Sequence, residues 1–217
     1  MPDDFARLIP DARAFLTELA ANNNRDWFTG EKSRYDARLK TPASLLLDRV
    51  AAEIRRETGQ QMVPKLFRPQ RDLRFSRDKT PYHTHLHMLW SGDGKGIAQP
   101  ALFFGIAPDY VTLGGGVMNF SREALPRWRA AADGPQGAVI ARELSRLADL
   151  GLAPRGPDLK RVPAPYAGDH PRGDLLRRKG LSVWREMVPG EWDDPSASLL
   201  AAFHALRDLL ALLGALR

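Results

Sequence analysis

The stretch His83-Thr84-His85-Leu86-His87-Met88-Leu89-Trp90 decides the fold. It breaks the helical spacing that precedes it and alternates with a period of two, the pattern of a β-strand. Residues 100–107 and 110–118 read as two more strands, joined by the tight turn Pro108-Asp109. Ser91 to Gly96 reads as a Gly-rich turn between the first two. The three segments make an antiparallel meander over about residues 83–118, with further strands expected at 159–162 and 181–188.

Outward from the meander the chain is helical. Ala12, Phe15, Leu16 and Leu19 recur at helical spacing over 11–21, and Asn22-Asn23-Asn24 can end that helix in a left-handed turn. Asn24 can cap the next helix, which carries Trp27, Phe28, Lys32 and Tyr35. Thr41-Pro42 reads as the start of a helix running to Thr58-Gly59. Residues 122–132, with Ser121 as a cap, 135–149 and 195–216 complete the set. Residues 62–82 show no period and read as an ordered loop. The expectation is an α+β fold, an antiparallel sheet flanked by N- and C-terminal helices, in a single domain over 1–217.

Of the 217 residues, 43% are apolar and 27% charged, which excludes a long disordered chain and a membrane bundle. The longest apolar run near the C-terminus, Leu209 to Leu216, is far shorter than the roughly 20 residues of a membrane span. No leader is visible in Met1-Pro2-Asp3-Asp4-Phe5, so a cytoplasmic location and no membrane partner are expected. There is no cysteine, hence no disulfide, thiolate metal site or cysteine nucleophile.

The net charge of +6 is not evenly spread. Residues 65–79 carry 6 basic and 2 acidic side chains, and residues 155–179 carry 7 and 3. Each segment is worth +4 on an otherwise slightly acidic chain. Compact clusters suit a local pocket better than a general polyanion surface. In the first, Arg68, Arg71 and Arg74 can converge on one anion, with Asp72 orienting a neighbour, Lys79 adding charge, and Ser76 and Tyr82 offering hydroxyls. The alternative is a self-satisfied ion-pair network that locks the loop. In the second, Arg161 and Lys179 flank Asp169-His170-Pro171, a candidate acid–base pair whose histidine Pro171 holds extended. A turn with a cap at Asp169 is the plainer reading.

His83, His85 and His87 share one strand face. Their alternation alone does not make a metal site, and none is expected. Ser91-Gly92-Asp93-Gly94-Lys95-Gly96 lacks the spacing of a phosphate-binding loop, and Gly114-Gly115-Gly116 opens no helix. No cofactor is expected.

Leu19 to Phe28 with Lys32 and Tyr35, then Arg68 with Arg71 to Tyr82 and His85, then Leu159 to Pro163, Tyr166, Asp169-His170-Pro171 and Leu175 to Lys179, together resemble the domain of unknown function 2461 family of bacteria and fungi. The resemblance implies one full-length domain. It places Asn23, Trp27, Arg71, Asp72, Arg74, Phe75, Ser76, Asp78, Lys79, Tyr82, His85 and His170 at motif positions, whereas His83 and His87 depart from the usual residues. It implies no reaction and no cofactor.

The expectation is a pocket protein. The loop 68–82 and the segment 160–179 would face each other across the antiparallel sheet and bind an anionic, phosphate- or carboxylate-bearing small molecule, with His85 or His170 as acid–base for a hydrolase or transferase reaction, if there is one. One alternative is a nucleic-acid-binding module that stacks bases on Trp27, Phe75 and Tyr82. Another is a structural or interaction protein with a buried Arg–Asp network. The sequence assigns neither the oligomeric state nor the ligand.

Overall fold

The structure, a computed structural model, describes residues 5–92 and 98–216. The described elements, in order, are α1 (Leu8–Ala21), α2 (Arg25–Gly30), α3 (Lys32–Tyr35), a π-turn (Asp36–Lys40), α4 (Thr41–Thr58), β1 (Val63–Leu66), β2 (Leu86–Ser91), β3 (Ala101–Ile106) and β4 (Val111–Val117). There follow α5 (Ala124–Asp133), α6 (Pro135–Asp149), β5 (Ala153–Pro154), α7 (Gly173–Leu176), β6 (Leu181–Glu186), a 3₁₀ turn (Pro189–Glu191) and α8 (Pro195–Gly214). The strands form an open antiparallel sheet in the order β1-β2-β3-β4-β6-β5, so the fold is α+β.

The meander is present, with shifts at its edges. The first strand begins at Leu86, because the chain bends at Thr84 and His85. The loop over 62–82 contains a short edge strand, β1, whose Pro64 hid it from a periodicity reading. No strand forms at 159–162, and the last edge is β5, with Ala153 opposite Trp184. Residues 93–96 of the expected Gly-rich turn lie outside the described residues.

α4 begins at Thr41 with Pro42 in its first turn, as expected, although Thr41 does not cap it, since Lys40 is already helical and the π-turn feeds into α4. One helix end differs. Asn22 ends α1 without entering the left-handed region, by returning its side-chain amide to the Glu18 carbonyl at 3.0 Å. Two expected caps do form. Asn24 accepts the Trp27 N–H at 2.9 Å, and Ser121 Oγ accepts the Ala124 N–H at 3.1 Å.

The chain divides into two compact units. The first comprises Met1–Trp90, Phe103–Leu113 and Glu186–Leu200, and the second Ser91–Leu102, Gly114–Arg185 and Ala201–Arg217. In the first, Leu8, Phe15, Leu19, Leu46, Val50, Ile54 and Trp90 are buried, and the Trp90 indole donates to the Leu47 carbonyl at 2.8 Å. In the second, Trp128 is fully buried, stacks on Phe120 at 5.0 Å and donates to the Leu175 carbonyl at 3.0 Å. One helix, Pro195–Gly214, is long and apolar enough to cross a membrane by length and composition. Its apolar positions Leu199, Phe203, Leu206 and Leu213 are buried within the protein.

Gly116 is where β4 and β6 approach most demandingly. Its φ of +133° is one that side chains avoid, and an added Cβ would lie 2.2 Å from the Leu181 carbonyl oxygen. Gly116→Ala is expected to destabilise the protein by about 2–4 kcal/mol in urea titration, through backbone strain and strand separation. A loss below about 0.5 kcal/mol would mean that the pairing relaxes freely.

Candidate functional site

Two groups of side chains, one in each unit, hold most of the residues expected to carry function. In the first unit, residues 69–83 form a tied loop. Arg71 N–H donates to Pro81 O and His83 N–H to Pro69 O, and Gln70 and Tyr82 form an isolated antiparallel bridge. Asn23 clips the loop base, donating to Tyr82 O at 2.9 Å and accepting from Tyr82 N–H at 3.1 Å.

Arg71 and Arg74 of this loop hold different carboxylates, and the charge of Arg68 acts on Asp72 beside Arg74. Arg71 Nη1 donates to Asp78 at 2.6 Å and to the carbonyl and hydroxyl of Thr80, and its Nη2 reaches Ser76 Oγ at 3.3 Å. Arg74 turns back on Asp72, with Nε to Oδ1 at 3.0 Å and Nη2 to Oδ2 at 2.7 Å. Lys79 Nζ caps the Leu73 carbonyl at 3.0 Å. Bonds from Thr80 and Arg71 hold the Asp78 carboxyl down at about 2, and Arg74 lowers that of Asp72. This is the self-satisfied network among the alternatives, but it is not buried. Asp72, Arg74 and Asp78 are exposed, and Arg71 retains 21% of its side-chain surface.

Two of the aromatic rings proposed for stacking are occupied. Tyr82 is 9% exposed and stacks on Phe28 at 4.1 Å, and half-buried Trp27 packs on Phe15 at 5.5 Å. Phe75 is 94% exposed.

Beside the loop lies an imidazole row. The rings of His83 and His85 are 4.7 Å apart, those of His85 and His87 are stacked at 3.7 Å, and His87 Nε2 meets the Tyr110 hydroxyl at 2.9 Å. Gly105 on β3 leaves room for the His87 ring, which a Cβ there would approach to 3.1 Å. Burial, then the His83 ring, pushes His85 down to about 4, and burial with the Arg71 charge lowers His83. Parallel stacking turns the ring edges side by side rather than towards a common point. No group of three or more metal-ligating side chains occurs among the described residues. The Tyr110 hydroxyl was not expected from sequence. The Pro108-Asp109 turn at the start of β4 brings it back to His87.

In the second unit, residues 158–160 run beside 177–179. Leu159 N–H donates to Arg177 O at 2.9 Å, and Lys179 N–H to Asp158 Oδ2 at 2.6 Å. Between residues 160–162 and the turn at 168–177 opens a cleft of about 650 Å³. Lys160, Arg161 and Arg177 supply its cations, Asp169 and Asp174 its carboxylates, and His170 one wall. Arg177 pairs with Asp174. Neither Lys160 nor Arg161 has a carboxylate partner for its side chain among the described residues. Lys179 is exposed and does not line the cleft.

His170 does not pair with Asp169. Its Nδ1 accepts the Arg172 N–H at 3.0 Å, and its Nε2 lies 3.1 Å from Asp133 Oδ1. The first contact leaves Nδ1 without a proton, so the proton on Nε2 faces Asp133. Arg172 extends the clamp, donating to the carbonyls of Ala132 at 2.6 Å, Asp133, and Gly134 at 3.3 Å, at the end of α5. These cationic contacts satisfy carbonyls that a helix C-terminus leaves open. Both nitrogens of His170 are therefore engaged in fixing the cleft wall. Arg178, 8% exposed and held by Arg155 O at 2.7 Å, lies beneath the same segment. Burial lowers its pKa.

A second cavity in this unit, about 620 Å³, is lined by Val139, Arg142, Arg146, Asp208 and Leu212 among others. Its Arg146 is engaged by Glu143 and by the Ala205 carbonyl, and none of its lining belongs to the motifs singled out in the sequence.

The family profile described as Conserved hypothetical protein (DUF2461) matches residues 11–211, and the chain belongs to that family. No functionally curated protein matches it.

Proposed function

We propose that the protein binds an anionic small molecule, bearing a phosphate or carboxylate group, in the cleft between residues 160–162 and 168–177. One observation carries the reading: in a cleft of about 650 Å³ whose lining has three cations, Lys160, Arg161 and Arg177, against the two carboxylates Asp169 and Asp174, neither Lys160 nor Arg161 is in ion-pair contact with a carboxylate among the described residues. That volume lies in the range of small-molecule sites, roughly 300–1,000 Å³. Arg161 offers the planar fork that suits an oxyanion and Lys160 a mobile ammonium. The turn that faces them is fixed by His170 and Arg172, which lowers the ordering cost of binding.

Binding is the claim, rather than a hydrolase or transferase reaction, because both nitrogens of His170 have partners and His85, the other expected acid–base, belongs to the imidazole row and does not line the cleft. The loop 69–82 is read as a structural brace, since Arg71 and Arg74 each already hold a carboxylate.

Isothermal titration calorimetry with inorganic phosphate, pyrophosphate and citrate at low salt tests this. At least one should bind, and Arg161→Ala should weaken it by about tenfold or more, the effect of removing a charge-assisted contact. Arg74→Ala should leave it unchanged. Equal binding by Arg161→Ala and the unaltered protein would remove the cleft as the site.

A further inference from the structure

We propose that the loop 67–80 is a membrane-docking element that seats Phe75 in the interface of an anionic bilayer. The inference stands apart from the cleft and uses none of its residues. Phe75, at 94% exposure, is the most open of the large apolar side chains described, the next being Val188 at 61%. A free loop would fold such a ring inward. This one is held by Arg71 on Asp78, Thr80 and Ser76, by Lys79 on the Leu73 carbonyl, and by the Arg74 N–H on Asp72. The ring is thus presented by a braced scaffold.

The loop that carries the ring is net cationic, and the guanidinium of Arg74 lies 5.9 Å from the ring centre. The two carboxylates of the loop are taken up by Arg71 and Arg74. Lys65, Arg68 and Arg77 have no carboxylate in ion-pair contact among the described residues, and Lys79 holds only a carbonyl. One apolar anchor on a loop with an excess of cations matches what weak, reversible attachment to acidic lipid requires, a hydrophobic contact plus a basic segment. Attachment of this kind needs no spanning stretch. A nucleic-acid single strand is held by successive rings. Here Tyr82 and Trp27 are packed against Phe28 and Phe15, leaving Phe75 without a second platform. A bilayer needs only the one.

Co-sedimentation of the intact protein with vesicles of phosphatidylcholine, alone or mixed with phosphatidylserine, tests the proposal, with an oligo-dT strand as the competing probe. Binding is expected to the phosphatidylserine vesicles and to weaken with added salt. Phe75→Ser should lower it by at least about tenfold, the transfer contribution of a buried Phe ring. Arg77→Glu and Lys79→Glu should lower it as well. Circular dichroism should show Phe75→Ser folded, since the ring touches little of the protein. The proposal fails if Phe75→Ser partitions like the unaltered protein. It also fails if neither vesicle binds, or if oligo-dT binds through Phe75 while vesicles do not.

Discussion

Trp128→Ala is expected to lower the unfolding free energy by about 3–5 kcal/mol, the usual cost of emptying a buried aromatic site. Trp128 is fully buried on α5, stacked on Phe120, and its indole N–H holds the carbonyl of Leu175. Leu175 belongs to the short helix α7, within the turn that walls the cleft. The substitution therefore removes both packing and an anchor of the binding turn. Trp128→Phe should separate the two, retaining most of the packing while orphaning the carbonyl at about 1–3 kcal/mol. Urea titration reads the stability and calorimetry the binding. A loss under about 1 kcal/mol for Trp128→Ala would show that α5 does not support the site.

The second large effect is acid sensitivity centred on His85. Burial and the neighbouring imidazole take this ring from 6.5 to about 4 in the folded protein. The folded value lies below the unfolded one, so the charged form is disfavoured by folding. The stabilisation is complete above about pH 6.5 and is lost as the pH falls towards 4. At about 1.4 kcal/mol per tenfold, the full drop would be worth about 3 kcal/mol, and partial contact with solvent reduces this to about 1–2 kcal/mol. Around the ring stand His83, His87, Tyr110 and, beyond His83, Arg71, none of which offers a carboxylate to offset the charge. Asp78, held near 2, adds its own loss at lower pH. His85→Phe should flatten the limb between pH 6.5 and about 4 without altering the steeper fall below it. An unchanged limb would mean that the imidazole row opens without cost.

What the sequence showed depended on how far apart the interacting residues lie. Local signals were readable. The caps at Asn24 and Ser121, the meander, α8 and the common face of the three histidines all follow from short spacings. The pairing of Arg74 with Asp72 was readable too, being two residues apart, although which of two outcomes it served was open. The partner of His170 was not readable. Asp133 lies at the end of another helix, and no spacing rule joins it to a histidine in a later turn. The adjacent Asp169 drew attention because it was adjacent, but the two lie in a turn closed by the His170 N–H on Ala167 O, and the imidazole meets Asp133 and the Arg172 N–H instead. Tyr110 was missed for the same reason, since its meeting with His87 depends on strand register. β1 was missed because Pro64 is compatible with an edge strand but reads as a breaker. Charge clustering marked two segments. It could not tell cations already paired, as in the first, from cations left open, as Lys160 and Arg161 are in the second.

The most direct test of the binding claim is a crystal structure of the protein grown with inorganic phosphate or pyrophosphate. The cleft reading predicts ordered anion density within hydrogen-bonding distance of Arg161 and Lys160, with the Arg71–Asp78 and Arg74–Asp72 pairs unbroken. Density beside Arg71 and Arg74, with those pairs opened and the cleft at His170 filled by solvent alone, would contradict it.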